Sequence, residues 1–425
     1  MFILKIKLLC FVDIKYIFER LYKRSFTVEG GYKLKNEQMK LWTLPFILIF
    51  IVNALNGISS YMVNPLMPDF LVAKGVAFEV TGVISSLLSW VALVIRPFSG
   101  AMSDKLDKKK LMFYSYLAMV LCMVGYSLVR DLPMVILVRI IHGIAFAISG
   151  TTSMAFATSS IPKNRIAEGI SYLGIAMLIG TMIGPQFGAS IATLYGIEQI
   201  FTVAAILCII CLAIIWFLPY KYVSISKNSQ KNKINFSDFF AKELLIYVVL
   251  IGLFSFGNGI ISYYLVNFGK VRGIENIALF FTVNSIAMLV MKPFVGKLQD
   301  AKGIKIILYP AFAIYALGMI ILANARSLFL VLISAVFKAM GQGNGTPAIQ
   351  AEAVKKLGIE RNGVAISTCL IGQDIGNAIG PIFASYIVAS TNYETMFLLY
   401  SAMLVFGIIG YYFYNKKSIL RSNNR

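Results

Sequence analysis

Apolar segments of membrane-spanning length follow one another along almost the whole chain. A helix needs about 20 apolar residues to cross the hydrocarbon core of a bilayer, and short polar stretches separate runs of that length here. The pattern predicts twelve spans, at residues 41–63, 80–102, 111–129, 132–157, 168–193, 198–218, 244–266, 276–297, 304–323, 327–350, 363–387 and 395–414. The chain is therefore predicted to be an all-α polytopic membrane protein with twelve transmembrane helices.

The stretches outside these spans suggest how the chain is divided. We predict a basic cytoplasmic N-terminal arm at 1–40, a six-helix bundle at 41–218, a cytoplasmic linker at 219–243, a second six-helix bundle at 244–415 and a cytoplasmic tail at 416–425. The arm has a second interpretation. Glu29-Gly30-Gly31 can be encoded by a ribosome-binding sequence, in which case translation starts at Leu34 or Met39.

Composition and charge exclude a soluble protein and indicate an orientation. Hydrophobic residues make up 58% of the 425 residues and charged residues 14%, with a mean hydropathy of +0.78, whereas a soluble domain is far more charged. The net charge is +20, yet the outer loops hold only Lys74, Arg130, Lys270, Arg272 and Arg326. Because Lys and Arg collect in cytoplasmic loops, both termini are predicted to lie on the cytoplasmic side of a bacterial-type cell membrane. No soluble basic domain supports nucleic-acid binding.

Several short motifs occur twice, about half a chain apart. The turn Arg96–Asp104 returns as Lys292–Asp300 with the same spacing of a basic residue, Pro-Phe, a glycine and an aspartate. Gly180–Pro185 returns in the same way as Gly376–Pro381. Parallel repeats of six helices are one of the recognised ways in which transporters are built. The repetition predicts two pseudo-symmetric six-helix bundles.

The residues of these motifs carry a family resemblance. Gly100–Lys110 is similar to the loop 2–3 signature of the major facilitator superfamily, with Asp107 in place of the usual second glycine. Arg139–Gly143 resembles that family's buried-arginine motif, and Gly180–Gly188 resembles its antiporter signature. From about residue 41 the chain resembles the drug- and metabolite-efflux branch. The resemblance implies a central cavity at mid-membrane, rocking between inward- and outward-open states, and export driven by protons.

The repeated turn is predicted to be a conformational latch. Asp104 is placed to accept backbone N–H groups at a helix start, where the helix dipole favours an anion, and Gly100 allows a close helix approach. The latch is predicted to comprise Arg96, Gly100, Asp104, Lys108, Lys292, Gly296 and Asp300. The plainer interpretation is a positively charged cytoplasmic turn, in which Arg96 and Lys292 snorkel to the membrane surface.

Spans five and eleven carry matching glycines and prolines. These residue types predict close helix contact and a kink, because glycine has no side chain and proline lacks an N–H. The residues are Gly180, Gly184, Pro185, Gly376, Gly380 and Pro381. We interpret them as a hinge or a seal between the two halves, and simple helix packing is the alternative.

A few charged side chains fall deep inside predicted spans, where each should face a cavity or a partner. Asp374 is the strongest candidate for a proton carrier, and a static pair with Lys338 is its alternative. His142 ordinarily titrates near neutral pH and is a second candidate, and a neutral hydrogen-bonding role is its alternative. Arg139, one helical turn away, can influence a neighbour's ionisation or hold an anionic group. The four predicted coupling residues are Asp374, His142, Arg139 and Lys338.

Polar side chains predict a substrate cavity among these charges, although buried amides can also serve only to bridge helices. The candidate lining residues are Asn53, Asn56, Tyr61, Gln186, Asn258, Tyr263, Asn284, Gln342, Asn344, Gln373 and Asn377. Their number favours a substrate with hydrogen-bonding groups over a bare lipophilic cation.

These observations predict a monomeric secondary transporter that exports a small polar or amphiphilic metabolite or drug by proton antiport. Its expected partners are the substrate, protons and the lipid bilayer. Proton-coupled uptake is the alternative, and a non-transporting membrane sensor is a more distant one. No enzyme activity, ATPase motif, metal site or cofactor is expected, since the chain holds one histidine and its five cysteines suggest no disulfide framework.

Overall fold

The computed structural model of the chain describes residues 41–76, 78–129, 131–219 and 239–423. These residues form twelve long helices and no strand. The helices are α1 Leu44–Ala73, α2 Phe78–Lys105, α3 Lys108–Leu128, α4 Leu132–Ser159, α5 Ile166–Tyr195, α6 Gln199–Phe217, α7 Leu245–Arg272, α8 Leu279–Lys302, α9 Lys305–Ala323, α10 Leu328–Leu357, α11 Asn362–Ser390 and α12 Tyr393–Asn423. In α1, one 3-10 turn at Asn64–Leu66 separates the α-helical parts Leu44–Val63 and Met67–Ala73.

The helices are those of a multi-pass membrane protein, and the predicted fold class is confirmed. Eleven of them are long and apolar enough to cross a bilayer. The remaining helix, α11, has 29 residues but carries Gln373, Asp374 and Asn377 near its middle. Several helices extend past the predicted spans, and α12 continues through the predicted tail as far as Asn423. The predicted arm at 1–40 and most of the predicted linker lie outside the described residues.

Local sequence explains where the helices begin and end. The carboxylate of Asp107 accepts a hydrogen bond from the Lys110 backbone N–H at the start of α3, and Asp131 does the same for Met134 at the start of α4. Such side chains satisfy donors that have no partner inside the helix. Glycine follows α5 at Gly196 with a φ of 95°, a backbone conformation that side chains disfavour. The helices are therefore joined by tight turns.

Matching helices pack closely inside each bundle. On α5, a Cβ atom at Gly180 would lie 2.5 Å from the backbone carbon of Gly57 in α1. On α11, a Cβ atom at Gly376 would lie 2.2 Å from the carbonyl oxygen of Gly252 in α7. Glycine is required at these positions because the two backbones touch.

These contacts correct one expectation. Gly180, Gly184, Gly376 and Gly380 face α1 or α7 of their own bundle, so the predicted seal between the halves is wrong. The glycine face of each helix is covered by α1 or α7, because helices approach most closely where the contact face carries no bulky side chain. Pro185 and Pro381 lie inside α5 and α11 without ending them, and a hinge at these prolines stays a prediction.

The two bundles meet where α2 packs against α11 and α5 packs against α8. We call the end of the molecule that holds the turns after α2, α4, α8 and α10 the basic end. It includes Lys105, Lys108, Arg165, Lys302 and Arg361. The inter-bundle hydrogen bonds described below lie between the middle of the helices and this end, so the structure is closed at the basic end.

Candidate functional site at the interface of the two bundles

The first repeated aspartate holds the start of a helix from the other bundle. Asp104, in the last turn of α2, accepts hydrogen bonds from the backbone N–H groups of Gly363 (2.7 Å) and Val364 (2.9 Å) at the start of α11. Gly100 allows this approach, because a Cβ atom there would lie 2.1 Å from Oγ of Ser367. Lys108 and Arg361 add positive charge near the carboxylate. The arrangement neutralises part of the positive end of the α11 dipole.

The second aspartate makes the same contact in the opposite direction. Asp300 of α8 accepts hydrogen bonds from the backbone N–H groups of Ala167 (3.1 Å) and Glu168 (2.9 Å) at the start of α5. A Cβ atom at Gly296 would lie 2.6 Å from Cα of Glu168. Lys355 also donates to Asp300 at 2.7 Å. Each bundle therefore holds a helix start of the other bundle.

An ion pair between a buried arginine and a partly buried aspartate joins the bundles deeper in the molecule. Nε of Arg96 on α2 donates to Oδ2 of Asp374 on α11 at 2.9 Å. Their side chains are 6% and 22% exposed. Asp374 lies about 18 Å along α11 from its start, at a rise of about 1.5 Å per residue. Snorkelling of Arg96 is therefore wrong. The alternative role of Asp374, a static pair with Lys338, is wrong as well, because the carboxylate pairs with Arg96.

The residue equivalent to Arg96 in the second repeat has a different environment. Lys292 of α8 is 3% exposed, so snorkelling is wrong for this residue too. Its Nζ lies against α5 of the other bundle, where a Cβ atom at Gly174 would be 2.2 Å away. Its hydrogen bond, 3.5 Å long, is to the carbonyl oxygen of Gly343. Among the described residues, Lys292 forms no ion pair.

Lys338 belongs to a chain of amide side chains inside the second bundle. Its Nζ donates to Oδ1 of Asn258 at 3.2 Å and to Oε1 of Gln342 at 2.9 Å. Nδ2 of Asn258 donates in turn to Oδ1 of Asn377 at 3.3 Å. Asn377 lies one helical turn beyond Asp374 on α11. The structure thus brings four predicted site residues together next to the ion pair.

Arg139 and His142 lie within the first bundle. Nη2 of Arg139 donates to the Ser85 carbonyl oxygen at 2.7 Å and to Asn64 at 3.4 Å. Nδ1 of His142 lies 3.3 Å from the hydroxyl of Tyr126. Both side chains are 2% exposed. No hydrogen bond or ion pair described for this bundle joins either residue to Asp374.

The remaining predicted lining residues differ in their exposure. Asn53, Asn56, Asn284 and Asn344 are buried between helices, and the side-chain oxygens of the last three are buried without a hydrogen-bond partner among the described residues. Gln373 is partly buried, whereas Tyr61, Gln186 and Tyr263 are exposed.

Sequence reasoning missed several residues that the latch residues contact in the other bundle. Gly363, Ser367 and Gly174 carry no charge and stand in no repeated motif. The one available signal was the pseudo-symmetry of the two bundles. Because α2 is equivalent to α8 and α11 to α5, a contact between α8 and α5 implies a matching contact between α2 and α11. Among the described residues, no group of three His, Cys, Asp or Glu side chains could hold a metal ion.

Known proteins share this architecture. The human organic anion transporter MFSD10 (TETRAN) superposes with a TM-score of 0.74 at 16% identity, over 86% of this chain and 98% of that protein. The transporter FucP in the outward conformation also superposes with a TM-score of 0.74, at 14% identity, over 87% of this chain and 98% of that protein. At these identities the likeness shows the fold.

Sequence comparison gives the family. Two proteins named Multidrug resistance protein MdtG, from Escherichia coli (strain SMS-3-5 / SECEC) and Rahnella sp. (strain Y9602), are each 23% identical to the chain. Both alignments cover 87% of this chain and 93% of the relative. The sequence profile of the Major Facilitator Superfamily matches residues 49–309 and 274–425. The chain therefore belongs to the Major Facilitator Superfamily of transporters.

Proposed function

We propose that the protein exports a small polar or amphiphilic organic compound in exchange for protons. In this proposal the two bundles rock between a state open at the basic end and a state open at the opposite end. The observation that carries the proposal is the Arg96–Asp374 ion pair, which joins the bundles through a group that can bind a proton. Two bacterial relatives are named for multidrug resistance, which export of a drug would produce.

Protonation of Asp374 would control this ion pair. A neutral carboxyl group no longer attracts Arg96 as an ion, so proton binding weakens the contact between α2 and α11 and favours opening at the basic end. Loss of the proton restores the ion pair and favours the closed form seen here. Asp374 retains 22% side-chain exposure, which gives a proton a route to it. A proton that enters from the end opposite the basic end would thus return the transporter to the state that is open at the basic end.

Inverted membrane vesicles test this direction of exchange. Overproduction in a drug-sensitive bacterium, screened for reduced accumulation of antibacterial compounds, identifies a transported compound. We expect an acidic vesicle lumen to drive uptake of that compound and an ionophore that collapses the pH gradient to abolish it. Uptake driven by an alkaline lumen would instead indicate proton symport and contradict the proposal.

The proton carrier is tested by substitution. Asp374→Asn is expected to abolish gradient-driven uptake while exchange of labelled for unlabelled compound continues, because exchange needs no net proton movement. Asp69→Asn is the matched control, since Asp69 is an exposed acid in α1. His142→Gln is expected to retain gradient-driven uptake. If His142→Gln lost gradient-driven uptake while Asp374→Asn retained it, proton transfer would be assigned to His142.

The proposal also places the basic end in the cytoplasm. A cysteine introduced at Leu106, which is 49% exposed, is expected to react with an impermeant maleimide only in inverted vesicles. A cysteine introduced at Glu275, an exposed position between α7 and α8, is expected to react in intact cells. The reverse pattern would contradict this orientation.

A further inference from the structure

The interior of the described protein holds more positive than negative charge. Arg96, Arg139, Lys292 and Lys338 are 5%, 2%, 3% and 4% exposed. Of these four cations, Arg96 alone has a carboxylate partner among the described residues. A buried ion without a counter-ion is costly, so an unpaired buried cation indicates that a partner is supplied from outside the chain.

The three unpaired cations differ in position. Lys338 is held by two amide oxygens, from Asn258 and Gln342. Arg139 is held inside the first bundle by Ser85 and Asn64. Lys292 has one hydrogen bond, 3.5 Å long, and lies where the two bundles meet. It is therefore the cation whose environment changes most when the bundles separate.

Pseudo-symmetry identifies what is missing beside Lys292. Arg96 and Lys292 occupy the same place in the repeated turn, and each extends towards a helix of the other bundle. Arg96 meets Asp374, which stands two residues before Gly376 in α11. The equivalent residue of α5, two before Gly180, is Leu178. The acid of the first interface has no counterpart in the second.

We infer that the transported compound carries an anionic oxygen group that binds Nζ of Lys292 and takes the role that Asp374 has for Arg96. Binding occurs when the basic end is open, since separation of α5 from α8 uncovers the ammonium. Closure returns Nζ to the backbone surface at Gly174 and weakens its hold on the anion. This inference rests on the proposed function, because it names the class of compound exported.

Four matched compounds test the inference with purified full-length protein in detergent. Phenylbutyrate and phenylpropylphosphonate carry the anion, phenylbutyramide is neutral, and phenylbutylamine is a cation. In calorimetric titration, at least one of the two acids is expected to bind at least about tenfold more tightly than the amide and the amine. The reason is that hydrogen bonds between charged groups are stronger than those between neutral groups. A stronger response to the carboxylate or to the phosphonate identifies which acid the site prefers.

Variants then assign the anion to Lys292. Lys292→Met is expected to weaken acid binding by about tenfold or more, whereas Lys292→Arg keeps the charge and most of the affinity. Lys270→Met, at an exposed lysine, is the control and should bind as the native protein does. Leu178→Asp supplies the missing acid and should abolish acid binding, while Leu178→Asn, of the same size without the charge, should retain more of it. The Leu178 and arginine variants keep the test decisive if Lys292→Met fails to fold.

Several results would overturn the inference. They are equal binding of acid and amide, preference for the amine, no binding of either acid, or loss of acid binding on Arg139→Met with retention in Lys292→Met. A different result would contradict the proposed function and leave the anion site intact. Acid binding that depends on Lys292, without gradient-driven movement of the same acid in inverted vesicles, would support the anion site and contradict proton-coupled export.

Discussion

At the scale of single residues, the Arg96–Asp374 pair combines stability with the capacity to switch. Removing one member of a buried ion pair leaves an uncompensated charge and typically costs about 3–5 kcal/mol. Replacing both members by apolar residues of similar volume costs much less. The pair is therefore strong only while both charges are present, which is what a contact controlled by one proton requires.

The first prediction concerns the stability of this pair. Arg96→Met is expected to lower the free energy of unfolding by about 3–5 kcal/mol, and the double variant Arg96→Met with Asp374→Leu should recover most of that loss. Thermal unfolding of the purified protein in detergent measures both. Arg272→Met is the control, because Arg272 pairs with Glu394, which is 48% exposed, and surface pairs contribute about 0–1 kcal/mol. Equal losses in Arg96→Met and Arg272→Met would contradict the prediction.

A second prediction at this scale concerns the glycines inside each bundle. Gly180→Ala and Gly376→Ala are each expected to destabilise the protein by about 1–3 kcal/mol, because the added methyl group overlaps a neighbouring backbone that cannot easily move. Gly410→Ala serves as the control, since a Cβ atom there meets nothing within 4 Å and alanine is the better helix former. Melting temperatures in detergent compare the three. A loss in Gly410→Ala as large as the others would show that packing is not the cause.

At the scale of elements, α2 and α8 have the same design. Each carries, in its last turn, an aspartate that binds two backbone N–H groups at the start of a helix in the other bundle. Hydrogen bonds to a charged group contribute about 1.5–3 kcal/mol each, so either contact can shift the balance between open and closed forms without controlling whether the bundles fold.

We therefore predict that Asp104→Asn opens the basic end without unfolding the protein. Spin labels at Leu106 and Glu360, two exposed positions beside the α2–α11 contact, should show a longer distance in Asp104→Asn, by pulsed electron paramagnetic resonance. Asp69→Asn should leave the distance unchanged. The prediction is contradicted if the distance between the labels changes when a compound binds but stays the same in Asp104→Asn. Asp104 would then not belong to the proposed latch.

At the scale of the whole molecule, hydrophobic pattern and repetition predict the fold but not the contacts between its halves. Twelve helices and two matching turns follow from segment length and motif spacing, because both are local properties of the sequence. The Arg96–Asp374 pair joins residues 278 positions apart, and nothing near Arg96 in the sequence distinguishes a buried cation from a snorkelling one. The direction in which Gly180 faces was likewise mistaken, since a smooth helix face does not identify the helix that covers it.

The reciprocal aspartate contacts have a consequence for the origin of the chain. Asp104 binds the start of α11 and Asp300 binds the start of α5, which is the pattern of an isologous interface, where two identical subunits contribute the same patch to each other. A six-helix ancestor could therefore have associated as a homodimer through this contact before its gene was duplicated and fused. Residues 41–219 and 239–423, produced as two separate polypeptides, should consequently reassociate in the membrane. Copurification of the two should weaken when Asp104→Asn and Asp300→Asn are combined, and persist with Asp69→Asn.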